Sequence, residues 1–287
     1  NRIAYAAVVN EDGGMVDDVT VSVLRDDALL VIGGNPEVFD ALNQAAPAGT
    51  TVEERRENYG VLSVQGPKSR ELLQRLTDAD LSNENLPFYG LLTDISIAGV
   101  TASIFRVGFT GELGYEVMIG AADAEKLYTA VYAQTDLGVT PFSGGALMIA
   151  RIEAGFVLAD VDYDPAVSPY ECSIGFAVDL EKGDFRGREA LVARKADAPV
   201  RLVGVASDAA PEVFEGAQLS YNGANVGEVV MAVPSPALGG RTLSLVRVAN
   251  EAATVGTRLI ASVGGNDFEA EVVATPAHDP QRLRRRS

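Results

Sequence analysis

The most informative part of this 287-residue sequence is the stretch Arg106-Val107-Gly108-Phe109-Thr110-Gly111-Glu112-Leu113-Gly114-Tyr115-Glu116-Val117. Its regularly spaced glycines permit close backbone approach at a tight reversal. Phe109 and Tyr115 offer flat faces that can stack on a planar ring, and the Glu116 carboxylate can accept two hydrogen bonds from an amidine-like edge. The stretch lacks the Lys-Ser/Thr ending of a phosphate-binding loop. Composition alone leaves two alternatives open, a ligand-binding hairpin and a glycine-rich hairpin without a ligand.

The segments on both sides of this stretch show strand and helix patterns. Alternation and β-branched residues predict strands at Ile3–Val9, Val19–Leu24, Leu29–Ile32, Tyr59–Gln65, Leu91–Ile97, Val100–Phe105 and Gly114–Ile119. Helices are predicted after Pro36, Lys68, Asp123 and Gly145. The last of these is apolar nearly all round from Ala146 to Ile152, which predicts a buried helix. Because strands and helices do not alternate strictly, the pattern favours an α+β fold with antiparallel sheets.

The composition changes near residue 197. Beyond it, six short strands separated by turns are predicted at Leu202–Ala206, Gln218–Tyr221, Gly227–Val233, Leu243–Val248, Arg258–Ser262 and Phe268–Val273. Strands at this spacing with almost no helical pattern indicate a small all-β barrel or sandwich. We therefore expect two domains, residues 1–196 and residues 197–287.

Charge excludes several classes of function. The formal net charge is −17. Four of the 23 cationic residues lie in the last six positions, so the rest of the chain is more acidic still. Such a surface repels nucleic acid and anionic membranes, and neither is expected as a partner. The cluster Arg282–Arg286 is expected to be a frayed, solvated terminus, the alternative being a small anion-binding tail.

Cysteine and histidine usage excludes further chemistry. Cys172 and His278 are the single residues of their types, which excludes an intramolecular disulfide and argues against zinc sites or a Ser-His-Asp triad. No metal is expected. No apolar run approaches the ~20 residues that cross a bilayer, and a lone cysteine without a visible export signal favours a cytoplasmic location. Because a strand pattern follows Asn1 directly, part of the first domain is expected to precede it.

Three other segments have recognisable patterns. In Gly13–Asp18 a Gly-Gly turn leads into a strand, where Asp17 and Asp18 should face opposite sides. They are either solvated acids or a pair of which one faces a pocket and can accept a proton or stabilise a cation. Arg151–Gly155 closes the fourth helix, and its charged residues are expected to be structural. Asp184–Leu191 is a turn leading into a short helix.

Together and in this order, these segments resemble the aminomethyltransferase family, which includes the T-protein of the glycine cleavage system. The matching residues are Gly13–Asp18, Gly108–Glu116, Arg151–Gly155, Ser168-Pro169 and Asp184–Leu191. The resemblance implies a multi-lobed α+β ring with antiparallel sheets that holds tetrahydrofolate in its central hole, followed by a small C-terminal β-barrel.

The resemblance also implies an activity. The expected reaction is tetrahydrofolate-dependent transfer of an aminomethyl or methyl unit to folate N5, from a small methylated amine or ether or from a lipoyl carrier protein. By motif position, Asp18 is the catalytic aspartate near N5, and Glu116 binds the pterin with help from Phe109 and Tyr115. The folate contributes the reactive centre, while the protein positions the folate and supplies the electrostatic environment.

Two departures from the family pattern affect this expectation. Leu147 stands where the family has an arginine associated with folate binding, and Gly33 stands where it usually has an asparagine. These changes reflect either drift within the fold or a member whose donor is a small N-, O- or S-methyl compound and not a lipoyl carrier. Two alternatives stay open. One is a non-enzymatic folate-binding protein of the iron–sulfur assembly type, although its Lys-Gly-Cys-Tyr segment is not found here. The other is a folate module of a larger flavin amine oxidase.

Overall fold

The computed structural model describes residues 2–287 and contains fourteen strands and six α-helices. The strands are β1 (Ile3–Val9), β2 (Met15–Arg25), β3 (Ala28–Ile32), β4 (Tyr59–Gln65), β5 (Leu91–Ile97), β6 (Val100–Phe105), β7 (Gly114–Gly120), β8 (Val200–Ser207), β9 (Gln218–Tyr221), β10 (Ala224–Glu228), β11 (Val233–Ser235), β12 (Arg241–Ala249), β13 (Arg258–Val263) and β14 (Asn266–Val273). The α-helices are α1 (Glu37–Ala45), α2 (Ser69–Gln74), α3 (Ala124–Tyr132), α4 (Gly144–Ala154), α5 (Arg188–Ala196) and α6 (Pro211–Phe214).

The strands form three antiparallel sheets. Their orders are β1-β2-β3, β4-β7-β6-β5 and β10-β9-β13-β14-β8-β12-β11. The predicted α+β fold with antiparallel sheets is therefore confirmed. The third sheet curls until Gly227 of β10 lies against β12, where an added Cβ would come within 2.6 Å of the Arg247 carbonyl oxygen. A side chain at Gly227 would prevent this approach.

One predicted C-terminal strand is wrong. The segment Gly227–Val233 is not continuous, because β10 ends at Glu228 and β11 begins at Val233. Between them, the Val229 amide donates to the carbonyl of Ala217, and the Ala232 amide donates to the carboxylate of Glu215. The first bond extends the antiparallel pairing of β10 with β9 by one residue, and the chain then leaves β9 before β11 pairs with β12.

The prediction of a buried fourth helix is also wrong over most of its length. Residues 144–146 of α4 are exposed and residues 147–150 are half-buried, so only Arg151–Ala154 is buried. The helix begins at the surface, where the Ser143 hydroxyl accepts the Ala146 amide. Met148 and Ile149 pack against the apolar core, and the buried last turn contacts the C-terminal sheet.

Buried polar contacts join this last turn to the C-terminal sheet. The carboxylate of Glu153 accepts the Ser235 hydroxyl at 2.5 Å and the Ala237 amide at 2.8 Å. Arg151 is fully buried and forms an ion pair with Asp162. The expectation of structural roles for both charged residues is confirmed. Burial raises the pKa of Asp162, an effect that the Arg151 charge opposes.

The first two sheets pack against each other through a small apolar cluster. Ile3 of β1, Leu91 of β5 and Phe105 of β6 form its buried centre. The Ile3 amide also donates to the Tyr89 carbonyl oxygen at 2.9 Å. Between residues 2 and 287, the structure has no helix that is long and apolar enough to cross a membrane.

Candidate functional site

The Gly-Gly turn places β2 by close packing. The conformation of Gly13 has φ +73°, and an added Cβ at Gly14 would lie 1.7 Å from the Pro165 carbonyl oxygen. The next residue, Met15, donates its amide to the Val167 carbonyl at 2.8 Å. Both glycines are therefore required by the backbone itself, and they fix where the following acids lie.

Asp17 has a structural role in this arrangement. It is 3% exposed, and its carboxylate accepts the amides of Gly34 and Asn35 at 2.8 and 2.9 Å. A third amide, that of Asp18, donates to it at 2.9 Å. Asp17 thus organises the turn between β3 and α1, and a carboxylate with these partners is not free to contact a ligand.

Asp18 is half-buried between two phenols. Its carboxylate accepts the Tyr5 hydroxyl at 2.9 Å and the hydroxyl of Tyr163. Burial raises the pKa of Asp18, and the hydrogen bonds from Tyr163 and Tyr5 oppose this rise. The structure therefore holds a single carboxyl group in a fixed orientation and partly withdrawn from water, as a general base or a charge-stabilising residue requires.

Asp18 and Glu116 lie on facing surfaces of two sheets. Asp18 is paired with Ala7 and shares a sheet face with Ile3, four residues before Ala7 on β1. Glu116 is paired with Phe105, so these two side chains share a face of the second sheet. Because Ile3 and Phe105 pack in one cluster, each carboxylate lies on the face of its sheet that is turned towards the other sheet.

Glu116 is half-buried without a compensating interaction. Burial raises the pKa of its carboxyl group, and no hydrogen bond within the described chain lowers it. A buried acceptor without a donor is unfavourable. Glu116 therefore fits a ligand that brings its own hydrogen-bond donors.

The space beside the glycines of the central stretch is filled by side chains of the protein itself. An added Cβ at Gly108 or Gly114 would come within 2.1 or 1.8 Å of the Gln65 amide oxygen. At Gly111 it would come within 2.8 Å of the Ala154 Cβ at the end of α4. The close approach that these glycines permit is therefore to Gln65 and Ala154.

The two aromatic residues of this stretch lie in different environments. Phe109 is half-buried and stacks on Phe156, with ring centroids 5.5 Å apart. Tyr115 is fully buried in the core between the second sheet and α2, and its hydroxyl accepts Arg70 Nε at 2.9 Å. Since neighbours on a strand face opposite sides, the structure does not bring Tyr115 to the face that carries Glu116.

The two departures from the family pattern have different structural settings. An added Cβ at Gly33 would lie 2.5 Å from the Asp17 carboxylate oxygen, so this turn has no room for an asparagine in the present backbone. Leu147 is half-buried and directly follows the exposed first residues of α4. The absence of a side chain at Gly33 is thus coupled to the role of Asp17.

The expected solvated arginine terminus is wrong in part. Arg284 Nη1 donates to Glu112 at 2.7 Å, and Arg285 is half-buried, whereas Arg282 and Arg286 are exposed. The ion pair of Arg284 with Glu112 and the position of Arg285 over the Phe88 ring hold this segment against earlier parts of the chain, and the run of arginines in the sequence gave no indication of these contacts.

Sequence reasoning missed the two phenols that hold Asp18. The contact of Tyr5 could have been predicted in principle, because a hairpin closed at Gly13-Gly14 places β1 beside β2. Tyr163 gave no sequence indication, since it reaches Asp18 from a separate loop far along the chain. Within residues 2–287, no group of three or more His, Cys, Asp or Glu side chains is arranged to hold a metal.

Comparison with known families finds matches over most of the chain. The family described as the GCVT N-terminal domain matches residues 1–182, and the family described as the glycine cleavage T-protein C-terminal barrel domain matches residues 201–279. The chain belongs to the aminomethyltransferase family. Its C-terminal sheet is that family's barrel domain, and the predicted membership is confirmed.

Individual members of the aminomethyltransferase family are similar over nearly the whole chain. An aminomethyltransferase of Streptomyces avermitilis is 35% identical over 98% of this chain and 77% of its own length. A trimethylamine-oxide aldolase of Ruegeria pomeroyi is 34% identical over 99% of this chain but only 38% of its own length. The crystal structure of aminomethyltransferase T from Bartonella henselae has the same fold, with a TM-score of 0.85 over 97% of this chain and 76% of that chain at 24% identity. The names of these relatives support a transferase enzyme.

Proposed function

We propose that this family member transfers a one-carbon unit to N5 of tetrahydrofolate. The observation that carries the proposal is the placement of two partly desolvated carboxylates, Asp18 and Glu116, on facing surfaces of two sheets. Glu116 lacks a donor in the protein, which suits the amino-pyrimidinone edge of a pterin because that edge presents two donors. Bound folate would supply the nucleophilic nitrogen of the reaction.

The two carboxylates have different roles in this proposal. Glu116 orients the pterin by accepting its donors, and Phe109 covers the ring from the loop between β6 and β7. Tyr115 contributes from the core side by fixing the strand next to Glu116. Asp18 stabilises the positive charge that develops when a one-carbon unit leaves an amine or ether, while Tyr5 and Tyr163 hold its carboxylate in place.

For the donor, we propose a small methylated compound in preference to a lipoyl carrier protein. An apolar Leu147 replaces a cationic residue of the family pattern, and a relative 34% identical to this chain is named for a reaction of trimethylamine oxide. A donor attached to a lipoyl carrier is the second candidate, which the similarity to aminomethyltransferases supports.

We also propose a domain boundary near residue 197, because α5 ends at Ala196 and β8 begins at Val200.

The proposal predicts a separation of turnover from binding at Asp18. In the Asp18→Ala variant we expect transfer to be abolished while the affinity for tetrahydrofolate stays within about tenfold, or ~1.4 kcal/mol. Calorimetry with tetrahydrofolate and a screen of methylamine and methyl-ether donors measure the two quantities. Asp26→Ala, which removes an exposed acid beyond the end of the same strand, is the matched control. Unchanged turnover in Asp18→Ala would remove Asp18 from the mechanism.

The opposite behaviour is expected at Glu116. The Glu116→Ala variant should weaken tetrahydrofolate binding by about 1.5–3 kcal/mol, the contribution of a hydrogen bond to a charged group. Calorimetry against the exposed-site control Glu125→Ala tests this expectation. An isotherm identical to that of the unaltered protein would contradict a pterin-binding role. Absence of any folate binding in the unaltered protein would overturn both the transferase proposal and the folate-binding alternative.

A further inference from the structure

Two polar side chains of β4 lie beside Glu116 on the same face of the second sheet. Ser63 on β4 is paired directly with Glu116 on β7, and Gln65 is paired with Gly114. Directly opposite residues of antiparallel strands point to one face of the sheet, and so do residues two apart on a strand. Ser63, Gln65 and Glu116 therefore line one face.

Contacts on several sides fix the side chain of Gln65. It lies across Gly114, where an added Cβ would come within 1.8 Å of Gln65 Oε1. The Thr110 hydroxyl donates to the same oxygen at 3.2 Å. Gln65 Nε2 donates to the Ser63 hydroxyl oxygen at 3.1 Å and to two backbone carbonyl oxygens at 3.4 Å. Gln65 thus holds the Ser63 oxygen from the side of the glycine-rich hairpin.

The Ser63 hydroxyl keeps its own proton available. A serine hydroxyl is one donor and has two acceptor lone pairs, and the bond from Gln65 uses one of the lone pairs. In the part of the chain that the structure describes, this hydroxyl donates to no other protein group. Ser63 is exposed, and β4 is an edge strand of its sheet, so a ligand on this face can reach the hydroxyl.

Ser63 and Glu116 offer a ligand opposite hydrogen-bonding groups. Burial raises the pKa of Glu116, and no hydrogen bond within residues 2–287 opposes this rise. A donating hydroxyl directly across from a carboxylate without a donor fits a ligand edge in which an acceptor adjoins a pair of donors. The edge of a pterin has this order, because its N3–H and 2-amino donors are flanked by the acceptors O4 and N1.

We propose that Ser63 is a further pterin-binding residue, whose hydroxyl donates to the ring acceptor next to the two donors bound by Glu116. The inference rests on the proposed function, since it requires a pterin at Glu116. It also gives the site a basis for selectivity. A carboxylate alone accepts any pair of donors, including those of an amidine or a guanidinium group, whereas Ser63 adds a contact that only a ligand with an adjoining acceptor can make.

Calorimetry with tetrahydrofolate under anaerobic conditions tests the role of Ser63. In the Ser63→Ala variant we expect the affinity to fall about 2- to 12-fold, as the loss of one neutral hydrogen bond predicts. Ser63→Thr keeps the hydroxyl and should stay within about twofold of the unaltered protein. The matched control is Ser96→Ala, which alters an exposed serine on β5 of the same sheet and should leave the affinity unchanged.

Two analogues of tetrahydrofolate separate a ligand contact from a structural effect. The 4-deoxy analogue lacks O4 and the 1-deaza analogue lacks N1, so one of them lacks the acceptor proposed for Ser63. For that analogue Ser63→Ala should no longer reduce the affinity, whereas the reduction should persist for the other. Each ligand is compared with itself in the two proteins, so altered contacts with Glu116 cancel.

Failure of this inference is distinguishable from failure of the proposed function. If Glu116→Ala weakens the binding of tetrahydrofolate and Ser63→Ala does not, the role of Ser63 alone is overturned. An equal reduction for tetrahydrofolate and both analogues would also overturn it, because a structural effect does not depend on one ring acceptor. Absence of tetrahydrofolate binding to the unaltered protein would overturn the inference and the proposed function together.

Discussion

At the scale of single residues, the environment of Asp18 determines when its carboxyl group is ionised. Burial raises the pKa of Asp18, and two phenolic hydrogen bonds oppose the rise because they stabilise the carboxylate. Removing one phenol should therefore raise this pKa further. If the ionised form is the active one, activity is lost at a higher pH as the solution is acidified.

The Tyr163→Phe variant tests this relation. We expect the acidic limb of the pH–rate profile to move to higher pH, while the rate on the alkaline plateau falls less than it does at acidic pH. The measurement is one-carbon transfer from the donor identified in the screen, recorded across the acidic and neutral range. Tyr128→Phe, which alters an exposed phenol on α3, is the control. An unmoved acidic limb would show that Tyr163 does not influence the titrating group.

At the scale of elements, the turn between β3 and α1 depends on one acid and one absent side chain. The Asp17 carboxylate accepts the amides of Gly34 and Asn35, and this requires that Gly33 carry no Cβ. Adjacent Gly34 has no atom within 4 Å of an added Cβ. Gly33 therefore has no space for a side chain, whereas the neighbouring Gly34 does.

Substitution of these glycines should have unequal effects on stability. Gly33→Ala forces a methyl group against Asp17 and should lower the free energy of unfolding by about 1–3 kcal/mol, as overpacked sites do. Gly34→Ala should change it by less than about 0.5 kcal/mol, as open surface sites do. Urea denaturation of both variants measures the difference. Equal stability of the two variants would mean that the turn accommodates the added methyl group at residue 33 without loss of stability.

At the scale of the whole molecule, the end of α4 joins the first domain to the C-terminal sheet. Arg151 and Asp162 form a fully buried ion pair there. The carbonyl of Asp162 also accepts the guanidinium of Arg247 on β12. Removal of one member of a buried pair leaves the other charge unpaired, which is costly.

Asp162→Ala should therefore lower the free energy of unfolding by about 3–5 kcal/mol. The surface pair of Arg241 and Asp208 provides the control, because its aspartate side chain is 89% exposed. Asp208→Ala should change stability by less than about 1 kcal/mol. Thermal and urea unfolding at neutral pH compare the two variants. A small effect of Asp162→Ala would indicate that water enters and solvates Arg151.

Much of the fold was predictable because strand formation leaves a local pattern. The bounds of β1, β4, β5, β6 and β9 agree with the prediction, since alternation and turn residues mark them within a few positions. The interruption between β10 and β11 was not predictable. It depends on the bond from the Ala232 amide to Glu215 and on the pairing of β11 with β12, and neither leaves a local pattern in the sequence.

Strand and helix patterns were enough to predict the antiparallel α+β class, and the resemblance of the motifs implied the family and the two acids proposed for the site. The tertiary structure fixes the neighbours of those acids. It placed Tyr163 on Asp18, moved Tyr115 into the core and filled the glycine-rich hairpin with Gln65. These outcomes depend on contacts between segments far apart in the chain, and hydrophobic periodicity and turn chemistry carry no information about such contacts.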